Sequence, residues 1–144
     1  MKKIAHRGNV SGPSQYENQP RYIERALELG YDAEIDVWLI SEQLWLGHDK
    51  PQYEIDLSFL SQHKERLWIH CKNIEALDYF VDLQDSYQYF WHEEDKYTLT
   101  SNNLIWTYPG IDANKNCIVV IFDKEIPKEY SQVFGVCGDY VDLW

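Results

Sequence analysis

Basic residues are scarce in this chain: 13 Lys and Arg stand against 24 Asp and Glu, a formal net charge of -11. That balance argues against general attraction to nucleic acid or to an anionic membrane. It also means that any phosphate handled here needs a cation or a local Arg/Lys cluster. Cysteine is sparse too. Cys71, Cys117 and Cys137 are odd in number and form no CxxC pair, so neither a disulfide framework nor a zinc ribbon is indicated. No stretch approaches the ~20 apolar residues of a membrane span, and the opening Met-Lys-Lys-Ile-Ala-His-Arg-Gly lacks the long apolar segment of a secretory signal. The expectation is a cytoplasmic protein with no integral membrane segment. Internal repeats, low-complexity segments and linkers are also missing.

What is present points to one packed domain over residues 1–144. A chain of 144 residues buries a real core, and 44% hydrophobic and 15% aromatic content argues against disorder. Residues 3–5 read as a short strand that delivers His6, Arg7 and Gly8 at its carboxyl end. A helix then starts near Asn18, with Pro20 in its first turn, and stops at Gly30; Ile23, Ala26 and Leu27 share its buried face.

The next strand reads Asp-Ala-Glu-Ile-Asp-Val-Trp from Asp32. Alternation puts Glu34 and Asp36 on one face, roughly 6.6 Å apart, with Ala33, Ile35 and Val37 on the other. Two carboxylates at that spacing can share a cation. Taken alone, such a pair is also what a solvated strand face looks like.

Past Trp38 a hairpin turning at 41–43 brings His48 and Asp49 back toward the strand ends, and Asp56 is positioned to cap a short helix through Gln62. Residues 67–72 form a third core strand, with Trp68, His70 and Lys72 on one face. Asn73 caps a helix with Leu77, Phe80 and Val81 as its buried stripe. The first 86 residues thus give three strand-helix units. In residues 87–144, strand-like runs fall at 87–91, 104–108, 118–122 and 134–136, with hardly any helical periodicity between them.

The fold class expected is α/β: a trimmed TIM-like (β/α) barrel, closed or nearly so, with outer helices mainly in the first half. A full barrel of this kind takes roughly 250 residues, so outer helices must be missing. Strands left bare would expose apolar surface, which makes a homodimer an expectation.

In such a barrel the carboxyl ends of the strands gather His6, Arg7, Glu34, Asp36, His48, His70 and Lys72 around one mouth. Imidazoles, a carboxylate pair and two cations suit a phosphodiester: a hard cation binds a nonbridging oxygen, and histidines act as base and acid. His92, ahead of Glu93, Glu94 and Asp95, reads either as a further mouth-lining group or as part of a solvated acidic loop. Of the Trp residues, Trp38, Trp91 and Trp106 are the candidates to face substrate.

His6-Arg7-Gly8, Glu17-Asn18, Glu34-x-Asp36 and His48-Asp49, in this order and approximate spacing, resemble the signature of the glycerophosphodiester phosphodiesterases, within a superfamily similar to phosphatidylinositol-specific phospholipase C. The ending from Gly135 to Tyr140 resembles that family's last strand. The resemblance implies a division of labour. His6 is the general base and His48 the general acid. Glu34 and Asp36 hold Mg²⁺ or Ca²⁺, and Arg7 and Lys72 neutralise the phosphate of a small-molecule phosphodiester. Substrate contacts are expected from Glu17, Asp49, His92 and Trp106, although Glu17 also suits a structural role ahead of the helix.

The chain departs from the pattern where the family has Glu-x-Lys, since it reads His70-Cys71-Lys72. With His70 as third ligand the site loses a charge and gains a nitrogen donor, which favours Mn²⁺ or Zn²⁺ relative to Ca²⁺. Three other readings stand beside the hydrolase. They are a lyase-like enzyme releasing a cyclic phosphate, a degenerate barrel that binds a phosphorylated sugar or lipid headgroup, and a structural zinc protein using His6, His48, His70 and Cys71.

Overall fold

The computed structural model describes residues 1–83 and 87–144. Positions 84–86, which close the first-half strand-helix segment, lie outside the described residues. The chain order is β1 (Lys2–His6), α1 (Pro20–Glu28), β2 (Asp32–Ile40), β3 (Gln43–Leu46), β4 (Tyr53–Ile55), α2 (Leu57–His63), β5 (Leu67–Cys71), α3 (Ile74–Asp82), β6 (Gln88–Phe90), β7 (Tyr97–Leu99), β8 (Ile105–Thr107), β9 (Cys117–Ile121) and β10 (Gly135–Gly138).

All ten strands belong to one sheet. Parallel pairs run β6, β5, β2, β1, β10, β9, β8, while β3 pairs antiparallel with the far end of β2, β4 with β3, and β7 with β8. The sheet is therefore mixed and curled into a half-barrel with three short α-helices among the described residues. This corrects the expected TIM-like (β/α) barrel. The physical reason lies in the connections: β6 reaches β8 through the antiparallel β7, and β8 reaches β9 through residues 108–116 without a helix.

The curl separates two cores. On the convex side of the first half, Ile23 and Leu27 of α1, Leu60 of α2 and Ala76 and Phe80 of α3 pack on Ala33, Ile35, Val37, Leu67, Ile69 and Cys71. On the concave side Ile4, Trp68, Phe90, Trp106, Ile118, Val120 and Cys137 pack together. The Phe90 and Trp106 rings stack at 4.3 Å, which puts β6 opposite β8 across the concave face. The convex side of β9 and β10 is covered by Tyr130 and Val133, from a single 3-10 turn over Lys128–Tyr130 and the residues after it rather than from an α-helix.

Most sequence-derived elements appear, with local differences. Asn18 does not begin α1: it sits at φ 63° one residue before the Gln19 cap, and its side chain turns inward. Val81 is 60% exposed, so the buried stripe of α3 runs through Ala76 and Phe80 instead. Asn73 does cap α3, accepting from Ala76 N–H, and its amide also bonds the backbone of Leu39. The two edge strands β4 and β7, Tyr53–Ile55 and Tyr97–Leu99, are absent from the sequence expectations.

Candidate functional site

The register of β1, β2 and β5 assembles the polar cluster. His6 is opposite Glu34, and Asp36 is opposite His70, so these side chains share the concave face. They surround a cavity of about 330 Å³ whose walls include His6, Arg7, Glu34, His48, His70, Lys72, His92 and Trp106. Asp36 lies beneath this floor with no exposure, and Glu34 is 3% exposed.

The ligating atoms of Glu34, Asp36 and His70 lie within 4.8 Å of one another. His70 Nε2 is 2.9 Å from the His92 carbonyl oxygen, which only accepts, so Nε2 carries the proton. In the neutral ring the Nδ1 lone pair then points toward carboxylate oxygens, at 3.2 Å from Asp36 Oδ1 and 3.7 Å from Glu34 Oε1. Such an arrangement is repulsive unless a positive charge lies between them, on the ring or on a bound cation. Asp36 Oδ1 is buried, with His70 Nδ1 and Lys72 Nζ as its nearest charged or polar neighbours. Two oxygens and a nitrogen oriented by its own second hydrogen bond form a donor set that fits a divalent metal.

The carboxylates divide in their acidity. Burial and the neighbouring Asp36 charge push Glu34 up, against partial relief from His6, His70 and Arg7. Burial would also raise Asp36, but His70, Arg7 and Lys72 hold it well below the usual carboxylate range. A cation bound between them would favour the ionised form of both.

His6 stands beside this cluster at the end of β1. Its Nδ1 is 2.9 Å from Asp139 Oδ1, so Nδ1–H donates to the carboxylate and Nε2 is left as the acceptor. Burial lowers its pKa, but the Asp139 hydrogen bond and the Glu34 charge more than offset this, and the net direction is upward. Buried Asn9 donates to the same Asp139 oxygen and to Glu17 Oε1. Arg7, at φ 53°, has its guanidinium between Glu17 and Asp36, at 3.0 Å and 3.2 Å, while its backbone N–H donates to Glu34 Oε2.

Asn18 fixes Asp36 twice, donating from Nδ2 to Oδ2 and accepting the Asp36 N–H on Oδ1. Asn18→Ala leaves the buried Asp36 N–H unpaired and Oδ2 with Arg7 alone, and a loss of about 1–3 kcal/mol is expected in urea unfolding. A change within error would contradict this anchoring role.

His48 reaches the cavity from the loop after β3. That loop depends on Gly47, at φ 151°, where an added Cβ would lie 2.0 Å from the Lys50 carbonyl oxygen. Trp38 Nε1 donates to the Gly47 carbonyl, tying the loop to β2.

Of the residues expected from sequence, His6, Arg7, Glu34, His48, His70, Lys72, His92 and Trp106 come together on the cavity. Lys72 Nζ lies 3.5 Å from Asp36 Oδ1. Glu17 sits behind the wall, bonded to Arg7 and Asn9. Asp49 is not on the cavity lining; its side chain is 91% exposed and accepts from His48. The sequence reading assigned no role to Asn9 or Asp139, and it missed Tyr108 and Phe122 as wall residues. The only signal for Asp139 was its place in the family-like ending.

No protein-family model matches this chain, and no curated protein matches it. The fold and site define a curled mixed-sheet protein with a buried carboxylate-imidazole cluster at the floor of an open cavity. Among the described residues no helix is long and apolar enough to cross a membrane.

Proposed function

We propose that this protein is a divalent-metal-dependent phosphodiester hydrolase acting on a glycerophosphodiester or a related polyol phosphodiester. The observation that carries the reading is the buried Glu34, Asp36 and His70 cluster beside a histidine whose Nε2 is left as an acceptor. Glu34, Asp36 and His70 are the residues that would hold Mg²⁺, Ca²⁺ or Mn²⁺. When bound, the ion neutralises a nonbridging phosphate oxygen.

The chain's own groups supply the rest. His6 Nε2 takes the proton of the attacking hydroxyl or water, and Asp139 stabilises the imidazolium that results. His48, from the loop after β3, gives a proton to the leaving alcohol. Lys72 places a positive charge at the phosphate. The Arg7 guanidinium, held by Glu17 and Asp36, adds positive charge to the wall and orders the floor. A neighbouring hydroxyl of the substrate as attacking group gives a cyclic phosphate; water gives the monoester directly.

With His6 as base, kcat/KM rises with pH as the imidazole loses its proton. In Asp139→Asn that limb is expected to move to lower pH, because the carboxylate that raises His6 is gone. A limb that stays in place in a pH-rate profile contradicts the pairing.

The absence of any chelator-sensitive turnover would favour a binding protein for a phosphorylated sugar or lipid headgroup. A cytoplasmic location and a homodimer belong to the same proposal. Exposed Tyr97 and Leu99 on β7 are the apolar surface a second copy would cover, and a monomeric mass in light scattering removes the dimer.

A further inference from the structure

The cavity is divided by strand. Its imidazoles and charges come from β1, β2 and β5 and from the residues that follow them, from His48 after β3 and from His92 and Glu93 after β6, whereas Trp106, Tyr108, Val120 and Phe122 come from β8, β9 and the residues that follow them. On that side the Tyr108 hydroxyl is the one side-chain oxygen. Trp106 is fixed in place by its stack on Phe90 at 4.3 Å. Phe122 is 55% exposed and Tyr108 46%, so two aromatic rings stand in water at the rim of a polar site. The Phe122 ring lies edge-on to His6, with centroids 5.9 Å apart, which brings the apolar wall directly against the proposed base.

A polyol laid on this wall would lose water from its hydroxyls and find almost no partners, whereas an apolar group would cover rings that are otherwise wet. The volume of about 330 Å³ is at the small end for ligand cavities and suits short substituents. Resting on the phosphodiesterase reading, we propose that the substrate is asymmetric: a phosphodiester with a polyol on one side and a short apolar ester group on the other, the latter seated against Trp106, Tyr108 and Phe122. These three are specificity residues, distinct from the groups that handle the phosphate.

The test compares two phosphodiesters by phosphorus NMR with Mn²⁺, hexyl glycerol phosphate and glycerophosphoglycerol, of which the second has the more acidic leaving alcohol, so leaving-group chemistry does not favour the hexyl ester. The wall predicts a kcat/KM about tenfold or more in favour of the hexyl ester. It also predicts that this ratio falls to within about threefold in Phe122→Ala and in Tyr108→Ala. Equal rates for the two substrates, or a ratio untouched by both substitutions, overturn the proposal while leaving the phosphodiesterase reading intact. Where neither ester is turned over, that reading fails, and calorimetry with hexyl phosphate and glycerol phosphate decides the wall separately. Binding of hexyl phosphate about tenfold tighter, lost in Phe122→Ala, supports it, and equal affinity overturns it.

Discussion

His6→Ala is expected to lower kcat/KM for phosphodiester cleavage by about 10²–10⁴-fold, the contribution typical of a positioned general base. β1 ends at His6, its pairing with β2 places the imidazole beside Glu34, and Asp139 at the end of β10 occupies Nδ1. The remaining nitrogen is the group with freedom to take a proton at the cavity. Asn9 keeps its own bond to Asp139 in the variant, so circular dichroism is expected to be unchanged. A variant that keeps activity within about threefold would remove His6 from the chemistry.

Glu34→Gln carries the second large effect. The substitution preserves shape but removes one of two buried carboxylates, and Mn²⁺ affinity is expected to fall by at least about a hundredfold in calorimetry. Activity at limiting metal should fall with it. Because burial and Asp36 make ionised Glu34 costly, the metal-free variant is expected to unfold at no lower urea concentration than the parent. This pairing of weaker metal binding with undiminished apo stability separates a ligand from a structural carboxylate. In His70→Glu an all-oxygen set replaces the imidazole, and preference should shift from Mn²⁺ toward Mg²⁺ and Ca²⁺. If His70 instead works as an internal cation, the parent binds no metal and neither variant changes that.

Much of this site was legible in the sequence because it lies on regular strands. Alternation alone puts Glu34 and Asp36 on one face and His70 and Lys72 on another, and the pairing of β1, β2 and β5 turns these faces into one floor. The overall architecture was less legible. A hydrophobic run such as 118–122 signals a strand, yet it does not say whether a helix or an irregular loop returns to the sheet. Thus the curled mixed sheet was mistaken for a trimmed barrel of strand-helix units. Asn18 escaped because helix-start statistics favour Asn as a cap, whereas here its left-handed backbone turns the amide onto Asp36. Asp139 escaped because its partners, His6 and Asn9, are more than a hundred residues away in sequence. Tyr108 and Phe122 follow directly after β8 and β9, where an aromatic residue reads as strand core until the curl is known.

Phosphorus NMR of the purified protein with a panel of glycerophosphodiesters, in Mg²⁺, Ca²⁺ or Mn²⁺ and again with chelator, decides whether this site cleaves phosphodiesters and needs a metal to do so. A monoester or cyclic phosphate that forms with metal and vanishes on chelation is the expected result. Turnover that persists in chelator contradicts the metal role of Glu34, Asp36 and His70, and no product with any metal or headgroup contradicts the phosphodiesterase itself.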